Sequence, residues 1–290
     1  MTGTFQVTGT QESPPRLRRA GRGAGHRGRE RMQDRKPLDG RVAVVTGCSR
    51  RIGIGAAIAG RLAWLGADLF VHSYTAYDAE QPWGSDPQGM PALLAELRQA
   101  GHRVEHLEAD FMEADAPQRV MDGAVRAYGH VDILVANHAY STMGTLEKVT
   151  ASEIDRHLHV NVRATLLLVK AFAAQHDGRP GGRVVLLTSG QHLGPMPEEL
   201  AYIASKGALH PLGVSLSAYL APRGITVNLV NPGATDTGYA SPELMAKVMA
   251  LEPQGRWGRP EDAARVVAWL CTDEAAWITG QVINSTGGGP

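Results

Sequence analysis

Cysteine is nearly missing from this chain. Cys48 and Cys271 are the only two among 290 residues, and they lie far apart. No disulfide framework is expected, and a reducing cytoplasm is. Long apolar runs are missing too: none approaches the roughly eighteen residues that a membrane-spanning helix needs. The N-terminus has no apolar segment of the kind that marks a secretory signal. Net charge is zero, 29 basic residues against 29 acidic. No solenoid-like repeat stands out, and no break in composition marks a second folded domain.

The zero is unevenly distributed. Residues 1–36 hold nine Arg/Lys against three acids, a balance of +6, so the remainder carries −6. This stretch is rich in Gly, Arg, Pro and Ser and poor in apolar residues, and residues 1–37 are expected to be a disordered basic extension. Such an arm suits nucleic acid or acidic lipid. Equally, it is a solvated leader ahead of a start at Met32. The acidic body argues against nucleic acid as the main partner, and no membrane partner is expected. What remains is ordinary for a globular protein, 43% hydrophobic and 20% charged, and long enough to bury a full core.

Arg41 to Thr46 (RVAVVT) is a short β-branched run and reads as a buried strand. Gly47 to Gly55 follows at once, then a helix from Ala56 to Leu65 closed by Gly66. Further strands are expected at Asp68–Ser73, Arg103–Leu107, Val131–Ala136, the run before Ser189, Ile225–Val230 and Ile278–Ile283. Helices are expected at Met90–Ala100, Ala116–Tyr128 and Ser152–Gln175 with Ser152 as N-cap, and another starts over Ala201 to Leu209, with no proline until Pro211. This alternation implies an α/β fold: a single-domain, Rossmann-type, doubly wound parallel sheet of about seven strands, with helices on both faces, over residues 38–290. Tyr74–Gly89 is polar and turn-rich, and long for a strand-to-helix link. It wraps a ligand or is an irregular surface loop.

Two stretches carry chemistry. A glycine turn between strand and helix lets the backbone approach a pyrophosphate, with the helix N-terminus supplying N–H groups. The second stretch holds Tyr202, Lys206 four residues on, and Ser189 thirteen residues before the tyrosine. Tyr202 and Lys206 fall one turn apart on one helix face. A phenol titrates near 10, and a neighbouring ammonium lowers that value, which makes a tuned proton donor and acceptor. A tyrosine four residues before a lysine is common on helices; the serine and the glycine loop give the pair its meaning.

Together these motifs resemble the short-chain dehydrogenase/reductase family, from Leu38 to Gly289. The resemblance implies an oxidoreductase moving a hydride between a nicotinamide cofactor and a carbonyl/alcohol pair. Its catalytic set is Asn161, Ser189, Tyr202 and Lys206, with Asn161 organising a water that links to the lysine. Gly47, Ser49, Arg50, Gly53, Ile54 and Gly55 are implied to hold the pyrophosphate side. The loop is two residues longer than the family's usual one, and Arg51-Ile52 is the simplest insertion. Asp110 and Phe111 match the adenine-contacting pair. Asn137 and Ala139 line the cofactor, and Tyr202 and Lys206 touch its ribose. Pro232, Gly233, Thr235 and Thr237 receive the carboxamide. Ser73 stands where NAD-binding relatives carry an acid, and Arg50 matches a basic position, so NADP(H) is expected over NAD(H). His138 and Tyr140 depart from the family's Asn-Asn-Ala-Gly; His138 is expected to bond locally and Tyr140 to narrow the substrate entrance. Gly238–Trp257 is expected to be a lid, and no metal site is expected. The chain is similar to the 3-oxoacyl-(acyl-carrier-protein) reductase-like branch, which implies a ketoreductase, possible acyl thioester substrates, and a homotetramer or homodimer. Another reductase, of a secondary metabolite, sugar or steroid, would share every catalytic residue. A non-catalytic NADP-binding regulator is the alternative from another class.

Overall fold

A computed structural model describes residues 35–99 and 101–289. The basic extension expected over residues 1–37 lies, up to residue 34, outside the described residues. The strands are β1 (Val42–Val45), β2 (Asp68–Ser73), β3 (Val104–Glu108), β4 (Ile133–Ala136), β5 (Gly182–Leu187), β6 (Ile225–Asn231) and β7 (Val282–Asn284). All pair in parallel, in the order β3-β2-β1-β4-β5-β6-β7. Chain order reverses direction between β1 and β4, and a doubly wound sheet opens a crevice at that point.

The helices are α1 (Ile54–Trp64), α2 (Thr75–Ala79), α3 (Gly89–Gln99), α4 (Ala116–Tyr128), α5 (Ala151–His157), α6 (Ala164–Gln175), α7 (Leu200–Leu220), α8 (Pro242–Leu251) and α9 (Pro260–Leu270). Alternation within β1 shows the layering. Ala43 and Val45 join Ile58, Leu62, Leu93 and Val267 from α1, α3 and α9. Val42 and Val44 face the other way, onto Val120, Leu168, Phe172 and Leu209 from α4, α6 and α7. Each fully buried Leu, Ile or Phe stabilises the fold by about 1.5–3 kcal/mol.

Helix α7, expected to begin over Ala201–Leu209, runs on through Pro211 to Leu220. The proline removes one backbone donor, but Leu209, Gly213 and Leu220 on the same helix are buried, and a Cβ on Gly213 would meet Leu229 at 2.2 Å. Close packing on β6 offsets the missing bond. The cap of α5 is Thr150, whose hydroxyl accepts from the Glu153 N–H, and not Ser152. Strand β7 runs from Val282 to Asn284, starting four residues later than the expected Ile278–Ile283 and sharing only Val282 and Ile283 with it. Within the polar Tyr74–Gly89 stretch the structure adds the short helix α2.

Candidate active site

The crevice lies where the sheet order predicts, a cleft of about 470 Å³ lined by the ends of β1 to β4. Its floor is the glycine loop. Gly47 has φ +73°, and Asn137 Nδ2 donates to the carbonyls of Thr46 and Gly47, both at 3.0 Å. A Cβ on Gly55 would sit 2.3 Å from the Gly47 oxygen and 2.7 Å from the Asn137 amide. Only glycine fits, and the loop packs on Asn137 as one unit. Helix α1 starts after Gly53, with no side-chain cap and no acid in its first turn. Its N–H groups are therefore left for an anion, and the cradle fits a dinucleotide pyrophosphate.

The inserted Arg51 is a tether. Its guanidinium grips Asp86 at 2.8 and 3.1 Å and Glu96 at 3.0 Å, tying the loop tip to the strap before α3 and to α3 itself. The guanidinium holds the Asp86 carboxyl well below its usual range. Arg50 turns into the cleft: its Nη2 donates to the Thr237 carbonyl at 2.8 Å and its guanidinium lies 5.8 Å from the Trp83 ring. Ser49 accepts from the Tyr74 N–H at 3.0 Å.

Two buried histidines pack beneath the cleft. His72 stacks on Phe111 at 4.1 Å, donates through Nε2 to the Ala109 carbonyl and accepts through Nδ1 from the Gly47 N–H. Burial lowers its pKa to about 4. His138 pairs with Thr46 Oγ1 at 2.7 Å and the Val160 carbonyl at 3.0 Å, and burial holds it neutral. It bonds locally, as expected.

At the far end, Asn161 sits in a single π-turn, Leu158–Arg163, between α5 and α6. Such turns often mark functional positions. Its amide is fully engaged: Oδ1 accepts from the Tyr140 N–H at 2.8 Å, and Nδ2 donates to the Tyr140 carbonyl and to Ser205 Oγ, both at 2.9 Å. The side chain thus clamps the loop after β4. Tyr140 in turn reaches Glu153 at 3.2 Å and packs edge-on to His157, 4.8 Å between rings. His157 lies 6.3 Å from the Tyr202 ring.

Tyr202 is half-buried, and its phenol hydrogen-bonds Ser189. Lys206 Nζ, fully buried, donates to the Leu187 carbonyl at 2.8 Å and sits 6.0 Å from the centre of the Tyr202 ring. Burial pushes the phenol well above its ordinary value, and the Ser189 hydroxyl pulls it part-way back. Lys206 itself is lowered to about 8 by burial. At neutral pH the phenol is a held proton.

Gly47, Ser49, Arg50, Gly53, Ile54, Gly55, Asp110, Phe111, Asn137, Ala139 and Thr237 all line the cleft. Ser73 does not: it is fully buried, with Oγ 2.8 Å from His106 Nε2, because the alternation of β2 turns it away. That is a correction to its expected place beside the cofactor ribose. Pro232, Gly233 and Thr235 form a turn beyond the cleft lining, where the Thr235 hydroxyl closes on the Pro232 and Gly233 carbonyls at 3.2 Å. Gly238–Trp257 contains α8, which buries none of its residues, and is fixed by the Trp257 indole donating to Met245 O at 3.0 Å.

A family model described as enoyl-(acyl carrier protein) reductase matches residues 47–289. An oxidoreductase of Bacillus subtilis (YjdA) is 39% identical over 250 residues, covering 86% of this chain and 96% of that one. The chain belongs to the short-chain dehydrogenase/reductase family. A short-chain dehydrogenase/reductase from Serratia marcescens superposes with a TM-score of 0.77 at 35% identity, over 87% of this chain and 98% of that one. A short-chain dehydrogenase from Burkholderia cenocepacia, solved in complex with NADP, gives 0.78 at 34% identity, over 87% and 98%. The sheet of this short-chain dehydrogenase/reductase is that of these solved relatives.

Residues that the motifs left out also face the cleft of this short-chain dehydrogenase/reductase: His72, Tyr74, Tyr77, Asp78 and Arg156 among them. Tyr77, on α2, donates to the Ser141 carbonyl at 3.0 Å and accepts from its N–H at 3.2 Å. Helix α2 therefore reaches the loop that Asn161 clamps. The length of the Tyr74–Gly89 stretch, and its Thr-Ala-Tyr-Asp…Pro-Trp-Gly pattern, were the signals in the sequence.

Proposed function

We propose that the protein is an NADP(H)-dependent ketoreductase, and that it reduces a carbonyl in the manner of the 3-oxoacyl-thioester reductases it resembles. The carrying observation is a protonated Tyr202 hydrogen-bonded to Ser189 and linked through His157 to Tyr140, which lines the glycine-floored cleft. When bound, the dinucleotide supplies a hydride to the carbonyl carbon. The Gly47–Gly55 loop and the start of α1 receive its pyrophosphate, Asp110 and Phe111 its adenine, and Thr235 and Thr237 its carboxamide. Ser189 donates a hydrogen bond to the substrate oxygen and stabilises the charge that develops there. Tyr202 delivers its proton to that same oxygen. Lys206, held on the Leu187 carbonyl, borders the tyrosine and is placed for the nicotinamide ribose. Asn161 keeps the Tyr140 segment in place and supports proton resupply.

The family model's description would put a C=C bond in the site. Two hydroxyls converging on one oxygen suit a polarised carbonyl better. For the cofactor, the Burkholderia relative was solved with NADP and a metagenomic blue fluorescent relative with NADPH; Arg50 in the cleft is the residue here that suits a 2′-phosphate. Among the described residues no helix is long and apolar enough to cross a membrane, and both cysteines are free and buried; we place the protein in the cytoplasm. Exposed Leu158, Leu166, Val214 and Tyr219 on the α5–α6 and α7 surfaces support self-association as a homotetramer or homodimer, which sedimentation would measure.

The test is NADPH oxidation across a panel of ketones that includes β-ketoacyl thioesters. Turnover of at least one ketone, lost in Tyr202→Phe, is expected. Binding of NADPH without turnover of any ketone would remove the enzymatic reading.

A further inference from the structure

The strand end expected to lack an acid does lack one, since Ser73 points away. A carboxylate arrives by another route. Asp78, on α2, is 8% exposed and lines the cleft together with Ser49, Arg50 and Tyr74. The Trp83 indole donates to Asp78 Oδ1 at 3.3 Å, and the Arg50 guanidinium lies 5.8 Å from that same ring. Asp78, Trp83 and Arg50 thus form one cluster, of which Asp78 and Arg50 line the cleft. Burial raises the Asp78 carboxyl, while Trp83, Arg50 and Ser49 draw it back.

A carboxylate here welcomes a ribose hydroxyl and opposes a phosphate dianion. We propose that Asp78 is a specificity-determining residue for the dinucleotide: it shares Arg50 and opposes a 2′-phosphate, so the chain prefers NADPH over NADH less than Arg50 alone would make it. This rests on the dinucleotide reading above. The carboxylate comes from the long strap, not from the strand end, so it is particular to chains that carry such a strap.

Binding can be read without any substrate. Trp83 beside the site makes quenching of tryptophan fluorescence a direct readout for NADPH and NADH. The fragments 2′,5′-ADP and 5′-AMP report on the adenosine end alone. In Asp78→Asn the affinity for NADPH and 2′,5′-ADP should rise about five- to tenfold, the scale of removing one like charge from a partly solvated pair. NADH and 5′-AMP should stay level or weaken. The gain should shrink at high salt. Asp78→Glu keeps the charge and should keep the parent's ratio; Asp78→Ser serves if the asparagine does not fold. Equal shifts for both dinucleotides in the neutral variants, or the same shift in Asp78→Glu, would overturn the proposal while leaving the dinucleotide reading intact. If the parent binds neither dinucleotide, both fall together.

Discussion

Replacing Asn161 by alanine isolates the clamp on the loop after β4. The side chain is fully buried and makes three hydrogen bonds, two to the Tyr140 backbone and one to Ser205 Oγ, all between 2.8 and 2.9 Å. A hydrogen bond of this kind contributes about 1 kcal/mol net, and a buried partner left unsatisfied costs more. The Tyr140 backbone is half-buried and can recover some water, so a loss of about 3 kcal/mol is expected. For a domain of this size that lowers Tm by roughly 6–12 °C. Urea unfolding followed by far-UV circular dichroism gives the free energy; a calorimetric scan gives Tm. Asn161→Asp keeps the acceptor toward the Tyr140 N–H but loses both donors and buries a charge, so it should be no better than alanine. If Asn161→Ala unfolds within about 0.5 kcal/mol of the parent, the clamp is a geometric coincidence and the role of the π-turn must be sought elsewhere.

In Tyr202→Phe, turnover should fall by about 10²–10⁴, while NADPH binding by fluorescence holds; retained turnover would dismiss the phenol as the acid. Gly55→Ala drives a Cβ to 2.3 Å from the Gly47 carbonyl, a backbone clash that cannot relax cheaply, so Tm should drop and dinucleotide binding vanish; normal binding would show that the loop floor is not where the pyrophosphate lies. Lys206 has its pKa lowered to about 8 from an ordinary 10.5, so the unfolded chain holds more protons between those values, and stability should rise with pH across that window. Lys206→Met should flatten that rise; an unchanged slope would mean that another group titrates there. Arg51→Ala frees the inserted loop tip from Asp86 and Glu96, and should weaken NADPH binding several-fold with little change in Tm; unaltered affinity would make the tether irrelevant to the cofactor.

The fold was legible because parallel strands buried on both faces appear as continuous apolar runs. DLFVHS (Asp68–Ser73) and APQRVMDGAVRAY (Ala116–Tyr128) coincide with their elements to the residue. The start of α7 was legible over Ala201–Leu209, but its run through Pro211 to Leu220 was not, since a proline gives no local reason to continue and the packing on β6 supplies one. The glycine loop and Asn137 were readable because strand, turn and helix follow directly. The strap was not: TAYDA (Thr75–Ala79) carries no periodicity to read, and Tyr77 and Asp78 gain meaning only when α2 faces the cleft. Ser73 failed for a simple reason. Sequence spacing names the strand end, but the two-residue alternation of β2 decides which side chain faces the cofactor.

The same distinction between adjacency and direction governs the catalytic pair. A spacing of four puts Tyr202 and Lys206 on one helix face, and that much holds. It does not aim the ammonium. Lys206 Nζ is bonded to the Leu187 carbonyl at the end of β5, while burial raises the phenol and Ser189 lowers it. A phenol kept protonated has its proton in place for a carbonyl oxygen, though its raised pKa makes it a weaker acid; taking a proton from an alcohol needs the ionised form, which is scarce at neutral pH. Oxidation of an alcohol would first need the ammonium, or the charge of a bound nicotinamide, to lower the phenol. The asymmetry predicts that the rate of alcohol oxidation rises with pH well above neutrality, while carbonyl reduction is already near its plateau at neutral pH. Matched profiles in the two directions would show that the phenol titrates near its ordinary value, and that its burial does not set the direction of the chemistry.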